Sequence, residues 1–116
     1  MRNRMIIYKI LRQSEWAALH VNGETHGAPV DIADGFVHFS TRAQMIETAT
    51  KHFAGQTGLI LAAFDGAMMG AALKWEPSRG GDLFPHLYAP LHRDHVVWHV
   101  DLPWVDGAHR FPKTLD

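Results

Sequence analysis

Trp75-Glu76-Pro77-Ser78-Arg79-Gly80-Gly81-Asp82-Leu83-Phe84-Pro85-His86-Leu87-Tyr88 is the stretch around which the rest of the chain is read. Ala71 to Trp75 approaches it as a strand, and Pro77 ends that strand because proline cannot donate to a ladder. Gly80-Gly81 turns the backbone through conformations closed to other residues and allows close approach to a ligand. Leu83-Phe84 then reads as a short extended segment. Between the prolines lie Glu76, Ser78, Arg79, Asp82, His86 and Tyr88, more chemical types than a plain connection needs. Arg79 offers a planar fork of donors suited to phosphate or carboxylate. His86 titrates near neutrality, and Tyr88 adds an aromatic face with a hydroxyl. The stretch is expected to form one wall of a small-molecule site, with His38 and its neighbours as the other.

Working upstream, Leu59 to Phe64 is continuously apolar and reads as a strand, with Asp65-Gly66 as a turn before the strand returns at Ala71. Thr41-Arg42-Ala43-Gln44 matches a capping box, and Met45, Ile46, Ala49 and Phe53 follow at helical spacing until Gly55 stops the helix. Phe36-Val37-His38-Phe39 reads as a short buried strand broken by one histidine. Residues 22–34 read as loop with a helical turn around Val30 to Ala33. Ser14 is the expected cap of a short helix through Leu19, with Trp16 and Leu19 on one side. The β-branched run Met5-Ile6-Ile7-Tyr8-Lys9-Ile10 reads as a first, central strand. Downstream, His95 to Leu102 alternates as a half-buried strand, and the tail 103–116 reads as irregular. The expected fold is a single α+β domain with a mixed or mostly antiparallel sheet and one main helix.

The bulk properties bound the function. With 116 residues and 47 % apolar composition the chain fits one core. A formal charge of −1 gives no basic field for nucleic acid, although nine histidines would make the protein cationic in mild acid. Without cysteine, disulfides, thiolate catalysis and Cys-ligated zinc are excluded. After the basic start Met1-Arg2-Asn3-Arg4 the apolar run stops at Lys9, too short for an export signal or a membrane span, so a cytoplasmic protein without a membrane partner is expected.

Each candidate group carries two readings. His38, followed by Ser40 and Thr41 at a helix N-terminus, either projects into an anion-favouring pocket or is a buried histidine satisfied by a backbone carbonyl. Ser78, Arg79, Gly80 and Gly81 either cradle an anion or form a surface hairpin whose arginine pairs with Glu76 or Asp82. His86 and Tyr88 are either an acid/base and a stacking platform or turn and core residues. His92, His95 and His99 lack the spacing of a metal motif, and a solvated face is the better reading. Asp31 reads as a cap and Asp34-Gly35 as a turn.

Three blocks together resemble a bacterial family catalogued as domain of unknown function 952. They are Ile7-Tyr8-Lys9-Ile10, Asp34-Gly35-Phe36-Val37-His38-Phe39-Ser40-Thr41, and the stretch Trp75 to Tyr88, and the likeness runs from about residue 6 to residue 102. The resemblance implies a distant grouping with the ADP-ribosyltransferase-like superfamily, in which NAD is bound in a cleft between two small sheets. On that implication NAD is a substrate rather than a resident cofactor, Lys9 takes the first-strand position, His38 with Ser40 and Thr41 the middle one, and His86 with Tyr88 a later wall. Lys9 stands where some relatives carry histidine, and the nearby acids after Tyr88 are Asp94, Asp101 and Asp106 rather than a glutamate. The expected activity is handling of NAD or a nucleotide, with His38 and His86 catalytic and Lys9, Ser40, Thr41, Glu76, Ser78, Arg79, Gly80, Gly81 and Tyr88 binding. A non-catalytic module for a small anion or nucleotide, or a structural protein, are the alternatives.

Overall fold

The structure is a computed structural model that describes residues 4–115, so Met1, Arg2 and Asn3 of the basic start lie outside the described residues. Its elements run β1 (Ile6–Leu11), α1 (Gln13–Asn22), β2 (Glu24–Thr25), α2 (Pro29–Asp34), β3 (Val37–His38), α3 (Arg42–His52), β4 (Leu59–Asp65), β5 (Leu73–Pro77), β6 (Leu83–Leu87), β7 (Leu91–His92), β8 (Val96–Leu102), β9 (Trp104–Val105) and β10 (Ala108–His109). Two antiparallel three-stranded sheets carry the fold, one ordered β1-β4-β8 and the other β3-β6-β5. The class is α+β. Among the described residues, no helix is long and apolar enough to cross a membrane.

The middle of the first sheet is β4, not β1. Leu59, Leu61 and Ala63 of β4 pack with Tyr8, Ile10, Met45 and Ala49 on one face, where α3 lies. Ala62 and Phe64 pack with Ile7, Leu11, Leu19, Val37 and Leu87 on the other, where α1 and the second sheet lie. Coverage on both faces is why the Leu59 to Phe64 run is continuously apolar rather than alternating. Truncating Leu61, which is fully buried, to alanine would cost about 2–5 kcal/mol. The outer edge of β1 meets the loop after β3, where Tyr8 and Ser40 exchange backbone hydrogen bonds of 2.8 Å. This bridge joins the two sheets at a seam, and Lys9 lies beside it.

Helix α3 starts as its sequence dictates. Gln44 donates its amide to Thr41 Oγ1 at 3.3 Å, and Gln44 Oε1 accepts from the Thr41 amide at 3.0 Å. Gln44 Nε2 also donates to the Leu83 carbonyl at 2.8 Å, fastening the helix to β6.

Several expectations are corrected. Helix α1 starts at Gln13, before Ser14, with Glu15 Oε1 accepting from the Arg12 amide at 2.9 Å, and it runs on to Gly23. The helical turn expected around Val30 to Ala33 is present and longer, as α2, while Glu24–Thr25 of the expected loop pairs with β7 as β2. Asp65-Gly66 does not close a hairpin: two short 3-10 turns over Gly66–Ala72 carry the chain to β5 in the other sheet. Leu83-Phe84 extends through Pro85, His86 and Leu87 to make β6, the centre of its sheet. His95 lies in a turn before β8, and a register shift opposite Ala63 and Phe64 puts Val97 and Trp98 against the same cluster, interrupting the expected alternation. The tail is irregular only in part: β9 and β10 form a hairpin, while 110–115 carry no regular element, although Leu115 is buried, its carbonyl accepting from the Tyr8 hydroxyl.

Candidate functional site

At the seam between the sheets lies a cavity of about 480 Å³. Of the residues singled out in the sequence, Lys9, His38, Ser40, Ser78, Arg79 and His86 line it. The two polar blocks therefore meet on one cavity.

His38 and His86 are partners across the β3–β6 ladder, and their ring centroids lie 5.4 Å apart. Strand alternation sends Val37 and Leu87 to the core and leaves both imidazoles on the cavity face. Phe36 stacks on His86 at 4.1 Å and contacts His38 at 4.5 Å and Tyr88 at 5.1 Å. Each imidazole has its Nδ1 on a carboxylate, His38 on Asp31 Oδ1 at 2.6 Å and His86 on Glu76 Oε1 at 2.8 Å. That contact puts the Nδ1 proton toward the acid and aims the Nε2 edge elsewhere. For His38 the Nε2 edge faces Asp34 Oδ2 at 3.0 Å. His38 is thus a carboxylate-held histidine rather than one satisfied by a backbone carbonyl.

Asp31 is the buried hub that sequence reasoning missed. Its Oδ1 accepts from the His38 amide at 3.0 Å as well as from the ring, and its Oδ2 accepts from the Ala28 amide at 2.7 Å and Lys9 Nζ at 2.9 Å. The cap reading described one of those four contacts. Burial pushes this carboxyl up, but the His38 hydrogen bond, the Lys9 charge and hydrogen bond and the His38 amide outweigh it and hold the pKa at about 2. The available signal was Lys9 itself, a cation in an apolar strand that burial obliges to find an anion. Lys9 also donates to the His38 carbonyl at 2.8 Å, so two contacts within the protein hold its ammonium at the cavity wall.

Arg79 does not pair with Glu76 or Asp82. It donates through Nη2 to Thr48 Oγ1 at 3.1 Å, lies 3.4 Å through Nε from Glu47, and stacks over Phe84 at 5.0 Å. Thr48 in turn lies 3.0 Å from Ser40 Oγ. Helix α3 and strand β6 thereby hold one guanidinium at the cavity.

Other expected site residues take different places. Thr41 serves as the α3 cap. The amides of Phe39, Ser40 and Thr41 donate to the Pro85 carbonyl, the Tyr8 carbonyl and Gln44 Oε1. Gly80 and Gly81 have φ of 70° and 82°, and a Cβ at either would meet nothing within 4 Å. Their positive φ requires glycine for the handedness of the turn. Glu76 and Tyr88 stand behind His86: Tyr88 donates to Glu76 Oε1 at 2.7 Å, and its ring lines a smaller cavity of about 340 Å³ with Phe36, His26 and Pro90. The Tyr88 bond, then the His86 bond, hold the Glu76 carboxyl below its usual range, and the same carboxylate pushes the Tyr88 phenol up. His99 packs on Trp16 at 4.4 Å while His92 and His95 lie 5.5 Å apart, and no group of three metal-ligating side chains gathers among the described residues.

Two solved structures of protein CC0527 from Caulobacter crescentus are similar to this chain. The crystal structure has 47 % sequence identity and a TM-score of 0.86, covering 91 % of this chain and 94 % of its own. The solution NMR structure has 46 % identity and a TM-score of 0.79, covering 90 % of each. No curated protein matches the chain. The family described as protein of unknown function (DUF952) matches residues 10–99, and the chain belongs to that family.

Proposed function

We propose that the cavity binds a nucleotide-type ligand and performs acid–base chemistry at a ribose-linked carbon, as an NAD- or nucleotide-handling enzyme would. The observation that carries this reading is the pair of carboxylate-held imidazoles 5.4 Å apart on a cavity that also receives Arg79. Histidines oriented in this way supply a proton acceptor and a proton donor within reach of one reacting centre. Arg79 supplies the phosphate contact, and its three supports reduce the entropy lost when it binds. A volume of about 480 Å³ lies in the range of small-molecule sites.

A non-catalytic sensor is the second reading, favoured by the Asp34 carboxylate on His38 Nε2, which leaves that ring with an acid at each nitrogen. One experiment separates them: thermal shift with NAD, ADP-ribose and ribose phosphate, run beside an assay of NAD hydrolysis. A ligand at a hundred times its dissociation constant adds about 2.7 kcal/mol to stability. Stabilisation with turnover supports the enzyme, and stabilisation without turnover supports the sensor. Silence with every ligand at millimolar concentration removes both.

A further inference from the structure

The cavity holds two carboxylates, and they are not equivalent. Asp31 has four donors on its two oxygens and a fully buried side chain, so it has no capacity left for a ligand. Asp34 ends α2 with its side chain 46 % exposed, and its Oδ2 faces His38 Nε2 at 3.0 Å. A carboxylate at this end disfavours an approaching phosphate, whereas a carboxylate only accepts hydrogen bonds and so favours hydroxyl donors. The opposite preference holds where Thr48 and Phe84 fix the Arg79 guanidinium, with the exposed Glu47 carboxylate 3.4 Å from its Nε, and Ser78 adds a hydroxyl. The cavity is therefore polarised, with a donor-seeking end and an anion-seeking end.

We propose that Asp34 is a specificity-determining residue that selects a vicinal diol, and that the ligand is a monophosphorylated five-carbon sugar or ribonucleoside. Its adjacent hydroxyls donate to Asp34 and accept from His38 Nε2, replacing the Asp34–His38 contact, while its phosphate lies on Arg79. This assignment rests on the nucleotide reading above and narrows it from any nucleotide to one that presents a free diol and a phosphate in a single orientation. A sugar lacking one of the two hydroxyls leaves an acceptor on Asp34 unpaired, and the loss of a hydrogen bond to a charged group weakens binding about tenfold to a hundredfold.

The test is calorimetric titration of the full chain with ribose 5-phosphate, 2-deoxyribose 5-phosphate and inorganic phosphate, with ADP-ribose and NAD alongside. Ribose 5-phosphate is expected to bind at least tenfold tighter than the deoxy sugar. Asp34→Ala is expected to erase that difference by weakening ribose 5-phosphate more than the deoxy sugar, and Asp34→Asn serves as a second variant should the alanine protein fail to fold. Arg79→Gln is expected to weaken both sugars equally. Equal affinity for the two sugars, or discrimination that survives in the Asp34 variants, overturns the diol assignment. Binding of ADP-ribose or NAD without binding of any monophosphate overturns this inference and leaves the broader reading standing. Silence with all five ligands removes both.

Discussion

His38 and His86 face each other across an antiparallel ladder, each fixed at Nδ1 by an acid and both touching one ring, that of Phe36. Residues that share a partner do not act independently when they are removed. The single changes His38→Ala and His86→Ala and the double change are expected to show a coupling energy of about 0.5–3 kcal/mol in urea unfolding. A coupling indistinguishable from zero would mean that the two rings are held separately and do not form one unit.

Asp31 holds together elements that are distant in the chain, because Lys9 of β1, the start of α2 and His38 of β3 all converge on it. Replacing it by alanine leaves the Lys9 ammonium, which is 8 % exposed, without its counter-charge, and the expected cost is about 3–5 kcal/mol. The same residue sets an acid limb. Its folded pKa of about 2 lies below the ordinary 3.8, so the unfolded chain takes up the proton first as pH falls. The stabilisation is complete above about pH 4, declines between there and pH 2, and amounts to roughly 2 kcal/mol. Denaturant melts in that window should show the slope in the native protein and lack it in Asp31→Asn.

Much of the fold was legible where the determinants are local. The Thr41 and Gln44 side chains make their reciprocal bonds within one turn, so α3 could be read from four letters. The strand β6 was hidden by Pro85, which argues against a central strand; its carbonyl accepts from the Phe39 amide at 3.0 Å, so it serves the sheet as an acceptor. The role of β1 as an edge depends on which strands flank β4, and no local pattern encodes that. The same division holds at the site. Residue types in Trp75 to Tyr88 and around His38 announced a pocket, whereas Asp31 and Thr48 gain their importance only from partners on other elements.

Gly27 tests how rigid the Asp31 cradle is. Its φ is +96°, and a Cβ there would lie 2.2 Å from Asp31 Oδ2. The carboxylate cannot retreat without releasing Lys9 or the Ala28 amide. Gly27→Ala is therefore expected to destabilise by more than the roughly 1–3 kcal/mol of backbone strain alone. A thermal midpoint within a degree or two of the native protein would show that the cradle yields.

His95 gives a second, milder pH dependence. Burial first, then the charge of His92, hold its imidazole below the ordinary 6.5, while Asp94 and Asp65 pull it partly back. Its Nδ1 is buried without a hydrogen-bond partner among the described residues. Because the folded pKa is the lower one, the unfolded state protonates first, so stability should fall as pH drops below 6.5 and level off once folded His95 also charges. Urea midpoints between pH 8 and 5 should follow that course, and His95→Gln should flatten it. A profile unchanged by the substitution would assign the slope to other histidines.

Glu76 connects the second imidazole to the protein surface, since one oxygen receives both His86 Nδ1 and the Tyr88 hydroxyl. The chain has two tyrosines. Tyr8 is 2 % exposed and bonds to Leu115, so the phenol of Tyr88 can be followed separately by its ultraviolet absorbance. Its hydrogen bond to Glu76 is the main cause that pushes it up, and desolvation and the carboxylate charge add to that. Glu76→Gln removes the charge but keeps an acceptor, so the Tyr88 titration is expected to move down toward the ordinary value of about 10. His86 loses its charged anchor at the same time, and ligand affinity at the cavity should weaken with little change in the protein's thermal midpoint. An unmoved Tyr88 titration would show that the Tyr88–Glu76 bond does not persist in solution, and the acid behind His86 would then be free to leave it.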